Sequence, residues 1–160
     1  MTKPEHRLTV TVLMAPDMAN FSGNVHGGAI LKLLDQAAYA CAARYAGCYV
    51  VTLFVDRVPV PDTVHVGELV NFSASINYTG RTSMEVGIRV DTRDVRTGEG
   101  RHTNSSYFTM VAIAPDGQPT AVPPLVPTTP VAQQRFESAR RRRKARRRQF
   151  EGPHARPHCD

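Results

Sequence analysis

Apolar and polar residues alternate in several segments of this chain, a period of two that is typical of strands with one buried face. In the segment 7–14 the even positions are apolar, namely Leu8, Val10, Val12 and Met14. The segments 71–79 and 83–91 alternate in the same way on either side of Gly80-Arg81. Because only a short turn joins these two segments, they predict a long antiparallel hairpin.

Composition, more than alternation, indicates two further strands and a helix. Tyr49–Val55 is rich in β-branched and aromatic residues, which predicts a strand covered on both faces. The segment 102–114 is apolar on both faces over Tyr107–Ile113 and predicts the last strand. Residues 27–45 predict one helix of about 30 Å. The order therefore predicts an α+β domain in which five long strands curl around one helix.

Charge is concentrated near the C-terminal end of the chain. The first 134 residues carry 10 Lys and Arg against 11 Asp and Glu, so the net charge of +6 comes from the tail. The segment 135–148 has nine basic residues and one acid, contains no Gly or Pro, and could form a helix. Prolines make 115–130 irregular or extended. We expect a single domain over 1–131 and a basic extension over 132–160, helical and then disordered.

Length and composition limit the class of protein. The chain has 160 residues, 41% of them hydrophobic, which suits one domain with a real core. No segment approaches the roughly 20 apolar residues of a membrane span, and polar Thr9 and Thr11 interrupt the first apolar run, unlike a signal peptide. The three cysteines have no metal-ligand spacing and are odd in number. We therefore expect a cytoplasmic protein with reduced thiols.

Candidate chemistry lies where a polar, glycine-containing loop enters the predicted helix. Gly27 and Gly28 leave backbone amides uncovered by side chains at the helix start, where free N–H donors and about +0.5 charge are available. A polarised carbonyl could bind there. Asp35 follows within a mostly apolar segment, so its carboxylate is expected to face a protein surface and not open water. A carboxylate in such a place is costly unless it is paired or used.

The spacing of these groups predicts that two copies of the chain build the site. Gly28 and Asp35 are seven residues apart, which is about 10 Å along a helix axis. One bound carbonyl cannot contact both groups within one chain. If the amides and the acid serve one reaction, a second copy must supply one of them, and symmetric dimers are the commonest assemblies.

Several motifs occur in an order that is informative as a set. The loop reads Asn-x-x-Gly-x-x-His-Gly-Gly from Asn20, and Asp35 follows nine residues after its histidine. Three further stretches are Val66-Gly67-Glu68-Leu69-Val70, Thr82-Ser83-Met84-Glu85-Val86, and Pro115-Asp116-Gly117-Gln118-Pro119 before Val122-Pro123. Over residues 7–127 these motifs resemble the hotdog-fold thioesterases, and more closely the acyl-CoA hydrolase family. The resemblance implies a hotdog fold with five to six strands around one long helix, followed here by the basic C-terminal helix.

The resemblance also implies an activity and a site. The implied reaction is hydrolysis of acyl-CoA to a free acid and CoA at a dimer interface, and such dimers often assemble further into hexamers or tetramers. Asp35 would activate water or attack the thioester carbonyl, and Asn24 would position the water or substrate. The Gly28 amide, together with that of Gly27, would form the oxyanion hole. No metal or other cofactor is implied, because a thioester is already a reactive acyl donor and coenzyme A enters with the substrate.

Other residues have weaker assignments and open alternatives. Asn24 could simply cap the helix, His26 mostly shapes the loop, and Gly27 and Gly28 could serve only tight packing. Thr82 and Ser83 could line the pantetheine channel or be ordinary strand residues. The arginines that could bind CoA phosphates are Arg57, Arg81, Arg89 and Arg93. The basic tail could also reach those phosphates, an anionic membrane or nucleic acid, but a solvated helix is the simpler interpretation.

Two other functions compete with thioester hydrolysis. One is a hydratase or dehydratase on the same fold, although the catalytic His and acid of those enzymes are not found here. The other is a non-catalytic acyl-CoA sensor or a nucleic-acid binder that works through the tail, although nucleic acid is disfavoured because no aromatic residues are interleaved with the charges. The preferred acyl length depends on how an interface pocket closes and does not follow from the sequence.

Overall fold

The structure is a computed structural model that describes residues 4–57 and 63–150, with the side chains of Asn104 and Phe150 excepted. Its elements, in chain order, are β1 (Arg7–Leu13), α1 (Gly27–Ala46), β2 (Tyr49–Asp56), β3 (Glu68–Thr79), β4 (Ser83–Asp94), β5 (Gly100–Ile113) and α2 (Pro130–Phe150). A short 3-10 turn, Pro16–Met18, follows β1. The predicted elements are therefore present, with boundaries that differ by a few residues.

The five strands form one antiparallel sheet in the order β1-β3-β4-β5-β2. The predicted hairpin is the β3–β4 pair, in which Phe72 lies opposite Val90 and Ile76 opposite Val86. β1 and β2 are the two edges of the sheet. The α+β hotdog arrangement predicted from the sequence is confirmed, with five strands in the described residues.

α1 packs against all five strands, and this contact forms the core. Its buried face carries small side chains in the middle, Ala37, Ala38 and Ala42, so the helix can lie close to the sheet. The sheet supplies the larger side chains, among them Phe72, Met84, Phe108 and Met110, all fully buried. α1 ends at Gly47, whose φ of 70° is the left-handed conformation that glycine adopts without strain.

The expectation that β2 is covered on both faces is wrong for the single chain. β2 is an edge strand, and Tyr49, Leu53 and Val55 are 58%, 68% and 38% exposed. Leu53 is an extra residue in the pairing with β5, because Thr52 lies opposite Met110 and Phe54 opposite the adjacent Thr109. An exposed apolar edge strand is normally protected by a partner.

The chain divides into two compact units, Met1–Leu125 and Val126–Asp160. In the first, residues 115–125 of the proline-rich segment form no helix or strand, which agrees with the prediction of an irregular or extended segment. Tyr45 Oη donates to Pro123 O at 2.9 Å, and Leu125 N–H to Thr79 Oγ1 at 2.9 Å. In the second, α2 contains the whole basic run. The predicted disorder after the helix lies outside the described residues, and the boundary at 131 stays a prediction. In the described ranges, neither helix is long and apolar enough to span a membrane.

Leu34 tests the importance of the helix–sheet contact for stability. Its side chain is fully buried at the centre of α1, so we expect Leu34→Ala to lower the free energy of unfolding by about 3–5 kcal/mol through lost contacts and a cavity. Leu13→Ala removes the same atoms from an exposed position and should cost less than about 1 kcal/mol. Urea unfolding measures both. Equal effects of the two substitutions would contradict this account of the core.

Candidate active site

The loop that leads into α1, together with the first two residues of the helix, is here called the site loop (residues 20–28), and its own hydrogen bonds close it. Asn20 Oδ1 accepts from the Ser22 N–H at 3.0 Å, the Ser22 hydroxyl at 2.9 Å and the Asn24 N–H at 3.1 Å. Asn20 N–H donates to Asn24 O at 2.6 Å. Phe21 is fully exposed at the tip. The two asparagines are thus fixed relative to each other by the backbone of the loop.

His26 begins the helix. It is the N-cap residue of α1, and its Nδ1 accepts from the Gly28 N–H at 3.0 Å. The alternative that Asn24 caps the helix is therefore wrong, whereas a loop-shaping role for His26 agrees with the structure. The donor expected to be free at Gly28 is already paired in the single chain. The Gly27 N–H has no acceptor among the described residues.

Asp35 pairs with a residue that sequence reasoning missed. The Thr52 hydroxyl of β2 donates to Asp35 Oδ1 at 2.7 Å, and Met110 Sδ lies 3.4 Å from the same hydroxyl. This bond fixes one carboxylate oxygen and leaves the other available for a reacting group. Within Tyr49–Val55, Thr52 is the one hydroxyl-bearing aliphatic residue in an apolar run, which was the available signal.

In the single chain, the surroundings of Asp35 differ from the expectation that its carboxylate faces a protein surface. Asp35 is exposed there and not covered by protein. Leu31 and Tyr39, one turn on either side of it, are also exposed, at 42% and 41%. The Tyr39 ring lies 6.1 Å from that of Tyr49 on β2. Asp35 is thus accompanied by exposed apolar residues on its own helix and on β2, the strand that holds it through Thr52. These residues are here called the apolar strip: Leu31, Tyr39, Tyr49, Leu53 and Val55.

A second connection supports the site loop from outside. His65 Nδ1 lies 3.1 Å from Asn24 Oδ1, and the Val25 N–H donates to Val64 O at 2.9 Å. Val64 and His65 belong to the segment 63–68, here called the anchor turn, whose last residue begins β3. Gly67 makes the turn possible, since its φ is 88°. The anchor turn was part of a recognised motif, but nothing in the sequence indicated its contact with Asn24.

An ion pair holds the anchor turn. Arg101 of β5 donates to both carboxylate oxygens of Glu68, at 2.7 and 3.2 Å, and to Thr63 O at 2.6 Å. The Glu68 carboxylate also accepts the His65 N–H at 2.8 Å. Burial raises the pKa of Glu68, but the hydrogen bonds from Arg101 and His65 and the charge of Arg101 outweigh it, so that the pKa lies below its usual value.

The residues expected to bind CoA are not brought together within one chain. Arg57 directly follows the Asp56 end of β2, whereas Arg81, Thr82 and Ser83 lie at the β3–β4 turn. The pairings of β5 place that turn beside the Tyr49 end of β2, about 20 Å from the other end at the rise of a strand. Arg89 is paired with Asp91 at 2.9 Å. The described residues contain no group of three His, Cys, Asp or Glu side chains that could hold a metal ion.

A helix held in a curled antiparallel sheet, with a glycine-containing loop at its start and an acid on its exposed side, defines the thioesterase class of hotdog proteins. The family model "Thioesterase superfamily" matches residues 22–99. The VdlD protein of Helicobacter pylori is 46% identical over 149 residues, covering 93% of this chain and 85% of that protein. The cytosolic acyl coenzyme A thioester hydrolase of Homo sapiens is 33% identical over 132 residues, 81% of this chain and 35% of that protein.

Solved structures agree with these relatives. The acyl-CoA hydrolase of Staphylococcus aureus, in complex with butyryl coenzyme A and coenzyme A, superposes with a TM-score of 0.81 at 28% identity, covering 91% of this chain and 90% of that one. Three single-alanine variants of that hydrolase match as well, with TM-scores of 0.80 to 0.82. The chain belongs to the acyl-CoA hydrolase family of the thioesterase superfamily.

The Glu68–Arg101 pair makes a prediction about pH. A carboxyl with a lowered pKa in the folded state stabilises the fold above its unfolded pKa, and this stabilisation is lost as the pH falls through the folded pKa. At neutral pH we expect Glu68→Gln to lower the free energy of unfolding by about 1–3 kcal/mol. The difference from wild type should shrink as the pH drops below 4.5, the usual pKa of the carboxyl.

Denaturant titrations at pH 7 and at pH 3 measure this difference. Glu99→Gln, in the exposed turn before β5, is the matched control and should change stability little at either pH. A cost for Glu68→Gln that is the same at both pH values would contradict the role of the charged carboxylate.

Proposed function

We propose that this protein hydrolyses acyl-CoA thioesters, at a site that two copies of the chain build together. The observation that carries the proposal is the Asp35 carboxylate, held by Thr52 on a helix whose glycine-containing start has an open N–H donor at Gly27. Membership of the family supports it, and so does the S. aureus hydrolase, which was solved with butyryl coenzyme A and coenzyme A. A cytoplasmic location remains a prediction.

In the proposed reaction, Asp35 supplies the base. Its free oxygen takes a proton from water, and the water oxygen attacks the thioester carbonyl carbon. The C–S bond then breaks, the acid leaves, and the CoA thiolate takes up the proton. A positioned general base contributes about 10²- to 10⁴-fold to a rate. The alternative role for Asp35 is direct attack by the carboxylate, which breaks the C–S bond, releases the CoA thiolate and forms an anhydride that water then cleaves to the free acid and the Asp35 carboxylate.

The start of α1 suits the developing negative charge on the carbonyl oxygen. The Gly27 N–H is the open donor there, and the Gly28 N–H becomes available if the His26 ring gives up its contact. One such donor is worth about 10²- to 10³-fold in rate. Neither glycine carries a side chain that would block the approach of a carbonyl. The space at Gly27 is open, since a Cβ there would meet nothing within 4 Å, whereas a Cβ at Gly28 would lie 3.2 Å from His26 Nδ1.

The spacing of residues along the chain indicates which asparagine belongs to the site. The three S. aureus variants replace an asparagine, an aspartate and a threonine that are separated by 15 and 17 residues in that order. In this chain Asn20, Asp35 and Thr52 have the same two spacings. We therefore assign Asn20 to the residues that act on the substrate, in addition to Asn24, the asparagine that the sequence suggested. Both belong to the site loop and are joined by two hydrogen bonds.

The apolar strip supports a dimeric site. An exposed apolar surface beside an unpaired edge strand is typical of an interface, and a second copy placed on it would remove Asp35 from water. The partner's site loop could then approach Asp35, which the loop of the same chain cannot do with Gly28 about 10 Å away along α1. We propose a homodimer, assembled further into a hexamer or tetramer. A hexameric acyl-CoA thioesterase with a TM-score of 0.82 to this chain favours the larger assembly.

The direct test is release of thiol from CoA esters between acetyl and palmitoyl. We expect hydrolysis of at least one length, with no absorbance change for an enoyl-CoA, which separates hydrolysis from hydration. Asp35→Asn should lower kcat by at least about 100-fold with the oligomer intact, because the base is lost and the side-chain size is kept. Asp94→Asn, at the exposed end of β4, should leave kcat unchanged. Full activity of Asp35→Asn would remove Asp35 from the chemistry.

A further inference from the structure

The site loop and the anchor turn meet at one side-chain contact, between His65 and Asn24. Asn24 Oδ1 can only accept, so its 3.1 Å contact with His65 Nδ1 is a hydrogen bond in the His65 tautomer that carries the proton on Nδ1. This contact fixes the plane of the Asn24 amide. The Asn24 Nδ2 group is then turned away from His65, and its hydrogen-bond partner in the described structure is Ser22 Oγ at 3.5 Å.

The backbone of His65 is held by hydrogen bonds to Glu68, although its side chain is exposed. Its N–H is bound to Glu68, and its carbonyl accepts the Glu68 N–H at 3.1 Å. Glu68 is 8% exposed and forms a two-pronged pair with Arg101, which also binds Thr63 O. Both ends of the anchor turn are therefore fixed to the start of β3 and to β5.

The Glu68–Arg101 pair is weak grounds for stability alone, because the Arg101 side chain is 39% exposed and solvent screens the attraction, while desolvation of Glu68 offsets part of the rest. Its orienting effect is clearer, since two parallel N–H···O bonds allow one geometry only. Here His65 is held by this pair, its ring is bonded to the Asn24 amide, and the Asn24 N–H is bonded to Asn20 Oδ1. The sheet is thus connected to the two asparagines of the site loop by hydrogen bonds that are linked through the covalent frames of His65 and Asn24.

We propose that His65 is a positioning residue of the site: set by the Glu68–Arg101 pair, it holds the Asn24 amide, and with it the site loop, in the reactive arrangement. The proposal rests on the proposed function for its kinetic consequence, but its structural content is independent of turnover. His65 does not contact the reacting atoms in this account, and its effect passes through Asn24.

The first test measures the site loop directly by hydrogen–deuterium exchange. His65→Leu and His65→Asn have side chains of similar shape, but only asparagine keeps an N–H donor near the position of Nδ1. We expect His65→Leu to speed exchange of the amides in 20–28 by about 3- to 10-fold, the equivalent of one net hydrogen bond, and His65→Asn to restore slow exchange. Exchange in the β3–β4 hairpin should not change. His102→Leu is the matched control on β5.

The second test measures activity on the best CoA ester. His65→Leu should lower kcat by about 3- to 10-fold with KM within about twofold, because a misplaced loop loses contacts made in the transition state. His65→Asn should recover most of this loss. In an Asn24→Ala background, His65→Leu should cause no further loss, since its effect passes through that side chain.

The outcomes separate the two proposals. Unchanged exchange in His65→Leu overturns the positioning role, as does equal behaviour of His65→Leu and His65→Asn, which would indicate packing and not the donor. An undiminished loss in the Asn24→Ala background overturns the route through Asn24. If the wild-type protein releases no thiol from any CoA ester, the proposed function fails, and the exchange measurement still decides the role of His65.

Discussion

The burial of one face of α1 in the curl of the sheet is the constraint on which the rest of the structure depends. The buried face, from Ile30 to Tyr45, fixes how the helix is rotated about its axis. That rotation turns the opposite face, with Leu31, Asp35 and Tyr39 one turn apart, towards the outside beside edge strand β2. The position of the acid is therefore a consequence of core packing, and the hydrogen bond from Thr52 adjusts it locally.

The same packing separates the chemical groups of one chain. The start of α1 and its acid lie on one rigid rod, so the donors and the base cannot approach each other by any local movement. The apolar strip around Asp35 is unfavourable in water, and the proposed dimer would cover it. Covering the apolar strip and completing the proposed site would thus both need the same partner chain. The site loop, in turn, is kept in place by hydrogen bonds to the anchor turn and by the Val25 side chain, which is buried in the core.

Local patterns in the sequence were enough to predict the elements of the fold. Alternation over 71–91 identified the β3–β4 hairpin, and the loop before Gly27 identified the helix start and Asp35. The edge position of β2 could not be predicted, because strand order depends on long-range pairing and an apolar strand has the same composition whether sheet or partner covers it. Thr52 and His65 were missed because their contacts with Asp35 and Asn24 join residues 17 and 41 positions apart.

The central claim, that the acid of one chain works with the site loop of another, is tested most directly by mixing two inactive variants. Asp35→Ala removes the acid and keeps the loop, whereas Asn20→Ala disrupts the loop and keeps the acid. Each homodimer should be nearly inactive. After subunit exchange, verified by mass spectrometry, an equal mixture should recover about a quarter of wild-type kcat per chain, because half of the dimers are mixed and each has one intact site. No recovery despite complete exchange would contradict the account and place both groups of each site in a single chain.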